Sequence, residues 1–294
     1  VLGLAAIGIA DRNTMAGVVR AHAAAKEHGQ RLLVGTRLVT LDGFEIVTYP
    51  QDRSAYARLT KLLTLGNRRA EKGQCHLTLA DIIAAGDGQC FIVIPPVAPD
   101  EAFSTALNEL ASAFPRRVWL AFAPQYDGSD VRRFHLLRDL ARRARVALLA
   151  TNDVLYHAAE RRALQDVLTS IREHVTLEEA GYLLQANAER HLKDAADMAR
   201  LCARAPDALA QSLVIAELCR FSLDELKYEY PADTFSDNET PQELLERLTW
   251  EGAHWRFPDG ISDEVRATIR RELDLIEAKQ YAPYFLTVHD MVRE

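Results

Sequence analysis

The amino-acid sequence predicts an α/β fold in its first half, followed by a helical segment. Short apolar runs of strand length recur along residues 5–151, and segments with helical periodicity separate them. These strand signals stop beyond Ile171. Strands that alternate with helices through short connections are typical of parallel α/β sheets and barrels. We therefore expect a sheet or barrel with its helices packed outside, and a helical region after it.

The composition describes an ordinary globular protein. The 294 residues are 48% hydrophobic and 26% charged, enough for one large domain or for one domain and part of another. The net charge of −7 argues against a protein that coats nucleic acid. Four cysteines without a C-x-x-C pair indicate neither a zinc knuckle nor a disulfide framework. No apolar run approaches the roughly 20 residues of a membrane span, so we expect a cytoplasmic protein without a membrane partner.

The elements can be placed in order. A strand at residues 5–10, a helix at 15–28 and a strand at 32–35 predict a parallel βαβ unit. Asp42-Gly43 between two β-rich runs predicts a hairpin with a type I′ turn. Further helices are predicted at residues 52–65, 78–84, 101–114 and 130–145, and further strands at 91–94, 118–123 and 146–151.

The region beyond the last strand shows helix-capping patterns. Thr176 and Asp194 each fit an N-cap, and Pro206 opens a helix that runs to about residue 219. We expect these helices to be an appendage to the barrel. An acidic, polar stretch at residues 231–239 predicts a linker, and Thr240-Pro241-Gln242-Glu243 then predicts a helix start with a capping box.

Two groups of polar residues are candidates for function. Asp153 follows the strand at 146–151, and the C-terminal ends of parallel strands face the mouth where ligands bind. Asp153 is therefore a candidate for chemistry or, equally, a cap for the turn into the next helix. Arg68, Arg69 and Lys72 lie in a predicted glycine-bounded loop and could contact phosphate, although such a charge run is more often solvated.

Several long runs resemble one family. ATNDVLYHAAERRALQDVLTSIRE, at residues 150–173, resembles the last metal-site strand and following helix of the PHP (polymerase and histidinol phosphatase) domain of bacterial C-family DNA polymerase III alpha subunits. TLGNRRAEKGQC, ANAERHLKDAADMARL and CRFSLDELKYEYP resemble its error-prone, damage-tolerant branch. TPQELLERLTWEGAHWRFPDGI and YAPYFLTVHDMVRE resemble the entry to the palm domain.

The resemblance implies a domain organisation. Residues 1–230 would form a distorted (β/α)7 PHP barrel whose first strand, with its histidine pair, precedes Val1. Residues 231–239 would be the linker, and residues 240–294 the start of the palm. In the family, a catalytic loop and the catalytic aspartates come later, so we expect no polymerase catalytic residue within this chain.

The resemblance also implies a lost metal centre. The family usually shows Thr-Asp-His, Gly-x-Glu and Asp-x-His where this chain has Ala10-Asp11-Arg12, Gly35-Thr36-Arg37 and Asp153-Val154-Leu155. A guanidinium has no lone pair for a metal and stays protonated, so Arg12 and Arg37 would oppose a cation. We expect a vestigial site with no bound metal, in which Arg12 and Arg37 pair with Asp11 and Asp153. Alternatively, the arginines extend into solvent.

The resemblance implies an error-prone DNA-directed DNA polymerase that acts in translesion synthesis and DNA repair. Its cofactor would be Mg²⁺, held by ligands outside this chain. Its partners would be primer-template DNA, deoxynucleotides, the sliding clamp and lesion-bypass accessory proteins. The barrel is expected to be metal-free and structural, a module that braces the palm or docks partners. The alternative is an active metal-dependent 3′–5′ exonuclease or phosphoesterase.

Overall fold

The chain forms two compact units. The computed structural model describes residues 2–226 and 239–293, and the units are Val1–Leu226 and Lys227–Glu294, called here the N-terminal and the C-terminal unit. The predicted domain boundary at residue 230 and the predicted linker at 231–239, apart from Glu239, lie outside the described residues. The assignment of these units to a PHP domain and to the start of a palm stays a prediction.

Six strands of the N-terminal unit form one mixed sheet in sequence order. They are β1 Ile7–Arg12, β2 Leu32–Val39, β3 Glu45–Pro50, β4 Gln89–Ile94, β5 Val118–Phe122 and β6 Ala147–Ala150. β1 and β2 are parallel, β3 is antiparallel to both its neighbours, and β4, β5 and β6 are parallel. The predicted α/β class is confirmed. The described residues supply six strands, whereas the expected barrel has seven, one of which was placed before Val1.

Twelve α-helices occur in the described residues. Those of the N-terminal unit are α1 Val18–Glu27, α2 Arg53–Arg68, α3 Leu79–Ala84, α4 Glu101–Ala113, α5 Asp130–Ala144, α6 Arg162–Glu173, α7 Leu177–Ala180, α8 Ala195–Leu201 and α9 Pro206–Leu218. The N-caps predicted at Thr176, Asp194 and Thr240 are confirmed, since each side chain accepts a hydrogen bond from a backbone N–H three residues on. No helix of residues 2–226 and 239–293 is long and apolar enough to cross a membrane.

The predicted hairpin between β2 and β3 is confirmed, but the predicted type I′ turn is wrong. Val39 pairs with Glu45, so five residues connect the strands. Gly43 has a φ of 84°, but Asp42 is not among the residues with positive φ, and a type I′ turn needs both. The Thr40 hydroxyl accepts a hydrogen bond from the Phe44 N–H at 2.9 Å, which holds the longer loop.

Both faces of the sheet are apolar. Successive side chains of a strand point to opposite faces, and the strands consist largely of consecutive apolar residues. Phe91 and Leu120 face the core beneath α2, α4 and α5. Ile92 and Trp119 face the opposite side, where Ile215 of α9 packs against them. The helix predicted as an appendage therefore covers the second face of the sheet. An apolar face cannot stay in water, and α9 removes it from solvent.

Hydrogen bonds join α9 to two parts of the sheet that are not neighbours. Arg31, just before β2, donates hydrogen bonds to the carbonyls of Ala216 and Cys219 in and after α9, and Trp119 of β5 donates to Gln211 at 2.9 Å. The helix therefore lies across several strands of the sheet.

Three helices form the C-terminal unit. They are α10 Pro241–Arg256, α11 Asp263–Lys279 and α12 Ala282–Arg293. Leu245, Leu273 and Leu286, one from each helix, form its core together with Ala282. The predicted capping box is present, since the Glu243 carboxylate accepts from the Thr240 N–H at 2.8 Å.

Burial of Cys202 predicts a loss of stability at high pH. Cys202 is 1% exposed, and burial raises the pKa of its thiol to about 11. Between about pH 9 and pH 11 the unfolded chain releases this proton while the folded chain keeps it, so the free energy of unfolding should fall by about 2–3 kcal/mol. Urea unfolding of the reduced protein should show this fall in the free energy of unfolding across the pH range. In Cys202→Ala the fall should be smaller by about 2–3 kcal/mol. Parallel curves for the two proteins would contradict the assignment.

Candidate functional site

Three neighbouring strands bring the candidate side chains together. The parallel register of β1 and β2 sets Arg12 beside Arg37. β2 runs four residues further than predicted because its second half pairs with β3, so Arg37 lies within the strand. Arg37 is opposite Val47 of β3. Glu45, two residues before Val47, is on the same face of the sheet. These contacts place two guanidinium groups next to one carboxylate.

A chain of ion pairs links five residues, called here the arginine cluster: Arg12, Arg37, Glu45, Asp153 and Arg190. Arg37 is central, since its Nε lies 2.8 Å from Glu45 Oε2 and its Nη1 3.0 Å from Asp153 Oδ1. Arg12 Nη1 contacts Glu45 Oε1 at 3.0 Å, and Arg190 Nη2 binds Asp153 Oδ2. Three cations thus surround two carboxylates.

The chain after β6 delivers Asp153 and Arg190 together. Residues 152–156 lie beside residues 189–192, because the Leu155 N–H donates to the Arg190 carbonyl at 2.9 Å and the Asn152 side chain donates to the Glu189 carbonyl. Asp153 has a φ of 39°, a conformation that aspartate tolerates better than most residues. Arg190 Nε in turn donates to the Asp153 carbonyl at 2.8 Å.

The two buried guanidinium groups respond differently to this environment. Burial by itself would lower the pKa of Arg37, but the charges of Asp153 and Glu45 outweigh it, and the pKa is raised. The pKa of Arg190 is lowered by burial, against the attraction of Asp153, and the positive charge of Arg37 adds to the lowering. Both groups nevertheless remain protonated at any ordinary pH.

One of the two expected arginine pairings is present and the other is wrong. The structure contains the Arg37–Asp153 ion pair. Arg12 pairs with Glu45 and not with Asp11, because consecutive residues of a strand point to opposite faces of the sheet. Asp11 instead accepts a hydrogen bond from the Gly17 N–H at 2.8 Å, just before α1. Arg12 is also the most exposed member of the cluster, with 62% of its side chain open to solvent, so the alternative of an arginine in solvent applies to it in part.

Sequence reasoning missed Glu45 and Arg190. Glu45 was missed because the predicted two-residue turn would pair it with Thr40, on the face opposite Arg37, whereas the five-residue loop pairs it with Val39, on the same face as Arg37. Arg190 gives no local signal, since it lies in a stretch with helical composition, 37 residues from Asp153. Leu155, at the position of the lost histidine, is 38% exposed and contributes only its backbone to this region.

These residues do not fit a PHP-type metal centre. Both oxygens of Asp153 and both oxygens of Glu45 are bound by guanidinium groups, and Asp11 Oδ2 is bound by a backbone N–H. A divalent cation would have to displace two guanidinium groups from these carboxylates. The positive charges of the displaced arginines would then lie close to the cation and repel it. Within residues 2–226 and 239–293, no group of three His, Cys, Asp or Glu side chains could hold a metal ion.

The basic segment is only partly the loop that was predicted. Arg68 belongs to the last turn of α2, and Gly66 is buried in the same helix against Leu77. Arg69 is paired with Asp81 at 2.7 Å, whereas Lys72 is in the exposed turn beyond it. A contact of these residues with phosphate stays a prediction.

Known proteins are similar to this chain over part or all of its length. A family model described as the bacterial DNA polymerase III alpha NTPase domain matches residues 243–294. An error-prone DNA polymerase of Rhodopseudomonas palustris strain BisB5 is 51% identical over 99% of this chain. One of Caulobacter vibrioides is 47% identical over 100% of it. Almost the whole chain is similar to one part of these error-prone DNA polymerases. It spans 27% of the length of each of these two relatives.

Solved structures share less with this chain. A structure described as that of a metal-dependent phosphoesterase from Bifidobacterium adolescentis is 15% identical and has a TM-score of 0.39. The match covers 69% of this chain and 87% of that chain. Similarity at this level is too low to support an argument about chemistry.

Proposed function

We propose that this chain is part of an error-prone DNA-directed DNA polymerase that acts in translesion synthesis and DNA repair. The observation that carries the proposal is the 47–51% identity with error-prone DNA polymerases over almost the whole chain. The N-terminal unit would be the PHP domain, and the C-terminal unit the start of the palm. The match of residues 243–294 to a polymerase III alpha family model supports the second assignment.

The intact polymerase would take primer-template DNA and deoxynucleotides as substrates in the cytoplasm. Phosphoryl transfer of this kind uses two divalent cations, Mg²⁺ in this proposal, that stabilise the attacking and the leaving oxygen. The ligands of these ions would lie outside this chain. The sliding clamp and lesion-bypass accessory proteins would be further partners.

The barrel is proposed to be structural and metal-free. The arginine cluster supports this role, because its ion pairs join β1, β2 and β3 to the two segments that follow β6. In a metal-binding barrel, a cation could make the same connection through its ligands. Here guanidinium groups provide the positive charge and at the same time fill the space beside the carboxylates.

Metal analysis and a nuclease assay on the full-length protein test this proposal. We expect primer extension with Mg²⁺, no stoichiometric metal in the barrel by elemental analysis, and no degradation of 3′ single-stranded ends with added Mn²⁺ or Zn²⁺. The Asp153→Asn variant should be as inactive in the nuclease assay as the parent protein. The control variant Asp139→Asn, which alters an exposed carboxylate on α5, should also be inactive. Bound metal with an exonuclease activity that Asp153→Asn removes and Asp139→Asn preserves would instead establish the barrel as a proofreading enzyme.

A further inference from the structure

Helix α6 turns its apolar side toward solvent. Leu164, Val167, Leu168 and Ile171 follow the spacing of one helix face, and they are 53%, 39%, 52% and 65% exposed. The opposite face, which includes Ser170, is buried at 6% exposure although it is polar. Surface helices of globular proteins normally have the reverse arrangement.

One polar contact joins the inward side of α6 to a distant segment, since Arg162 Nη2 donates to the Gln185 carbonyl at 2.7 Å. Two further contacts lie within the helix. Asp166, whose side chain is only 18% exposed, lies 3.5 Å from the Arg162 guanidinium, and Gln165 donates to the hydroxyl of the buried Thr169 at 3.3 Å. The inward side is therefore polar, and the apolar face is outside.

The next elements along the chain add to this exposed surface. Leu177 of α7 is 46% exposed, and Tyr182 and Leu183 in the turn after it are 106% and 49% exposed. With the four side chains of α6 they form what we call the α6 patch. The largest apolar patches of soluble monomers measure about 300–600 Å² and are often functional. Seven large, exposed side chains in 20 residues make this region a candidate docking surface.

We propose that the α6 patch is the docking surface for the part of the polymerase polypeptide that lies outside this chain. The inference rests on the proposed function. The relatives are almost four times as long as this chain, so most of the polymerase is available to cover the patch. A segment on the same polypeptide has an effective concentration on the order of millimolar. It therefore outcompetes a separate partner of similar apolar surface.

A second copy of the chain fits the patch less well. Arg161 and Arg172 are about three helical turns apart, so they lie on the same flank of the apolar stripe. Two copies of α6 paired antiparallel about a two-fold axis would bring Arg161 of one copy close to Arg172 of the other. Such a like-charge contact opposes association, and the pairing of Arg172 with Glu173 at 2.8 Å reduces this repulsion only in part. The same flank would accept acidic side chains from the polymerase segment that covers it.

Thiol labelling of the full-length polymerase tests the proposal. Ile171→Cys places a thiol on the patch, and Val19→Cys, at a position of α1 that is 72% exposed, is the matched control. We expect the thiol at position 171 to react at least tenfold more slowly than that at position 19 in the monomeric full-length protein, and both to react rapidly in the chain of residues 1–294. Labelling of the parent protein, whose thiols include the four cysteines of this chain, is subtracted.

Two results would overturn the docking proposal. Equal labelling of both positions in the full-length protein would leave the patch open for a separate partner. Protection that appears only as protein concentration rises would make a second copy the occupant. Leu168→Cys provides the same readout where Ile171→Cys does not fold. Primer extension, measured on the same preparations, reports the polymerase function independently, so failure of either idea can be recognised separately.

Discussion

Replacement of Arg37 by methionine should lower the free energy of unfolding of the N-terminal unit by about 2–3 kcal/mol. Methionine keeps much of the apolar volume but leaves Asp153 and Glu45 without their shared partner. Breaking a fully buried ion pair costs about 3–5 kcal/mol, and the smaller figure follows because the Arg37 side chain is 21% exposed. Urea unfolding followed by Trp119 fluorescence measures this change in a Trp250→Phe, Trp255→Phe background.

Arg12→Met is the matched control for this experiment. It removes an arginine of the same cluster, but its side chain is 62% exposed and pairs with Glu45 alone. A surface ion pair of this kind contributes about 0–1 kcal/mol. A loss of no more than about 1 kcal/mol in Arg37→Met, as in Arg12→Met, would show that the cluster does not stabilise the barrel. A more stable Arg37→Met protein would show that burial of the charges outweighs their attraction.

Substitution of Gly35 by alanine should destabilise the same unit by about 2–3 kcal/mol through steric conflict. A Cβ atom at this position would lie 2.5 Å from the Thr48 backbone carbonyl and 2.5 Å from the Tyr49 ring. The Thr48 carbonyl belongs to β3, where Thr48 pairs with Thr36 next to Gly35, so it cannot move without loss of strand pairing. Tyr49 is itself partly buried and packs against the core beneath α9. Trp119 fluorescence again reports the transition.

Gly252→Ala is the control for the change in side chain. Gly252 lies within α10, has an ordinary backbone conformation, and has no atom within 4 Å of the Cβ that alanine would add. Alanine favours a helix over glycine by about 1 kcal/mol, so this variant should leave the C-terminal unit equally or more stable. A Gly35→Ala protein as stable as the parent would mean that β2 and β3 separate easily at this point.

Local sequence signals predicted the elements well. The six strands of the sheet and the caps at Thr176, Asp194 and Thr240 depend on short-range patterns of apolar and hydrogen-bonding residues. Errors occurred where distant contacts decide. β2 extends to Val39 because β3 pairs with it. α9 packs against the sheet because this buries the apolar side chains of its second face.

The site shows the same division. The presence of arginines at positions 12 and 37, whose guanidinium groups offer no lone pair to a metal, is a property of the sequence alone. Which carboxylate each arginine binds depended on strand alternation and register, so Arg12 was assigned to Asp11 when its partner is Glu45. Arg190 could not be predicted, because no local pattern connects it with Asp153.

By itself, the sequence determined the α/β class and the order of the elements, and it put arginines, which do not bind metal ions, at positions 12 and 37. The tertiary structure decided the pairing within the arginine cluster and the outward orientation of the apolar side of α6. The physical reason is range. Propensity, capping and side-chain chemistry act within a few residues, whereas ion pairing and burial depend on which distant segments the fold brings together.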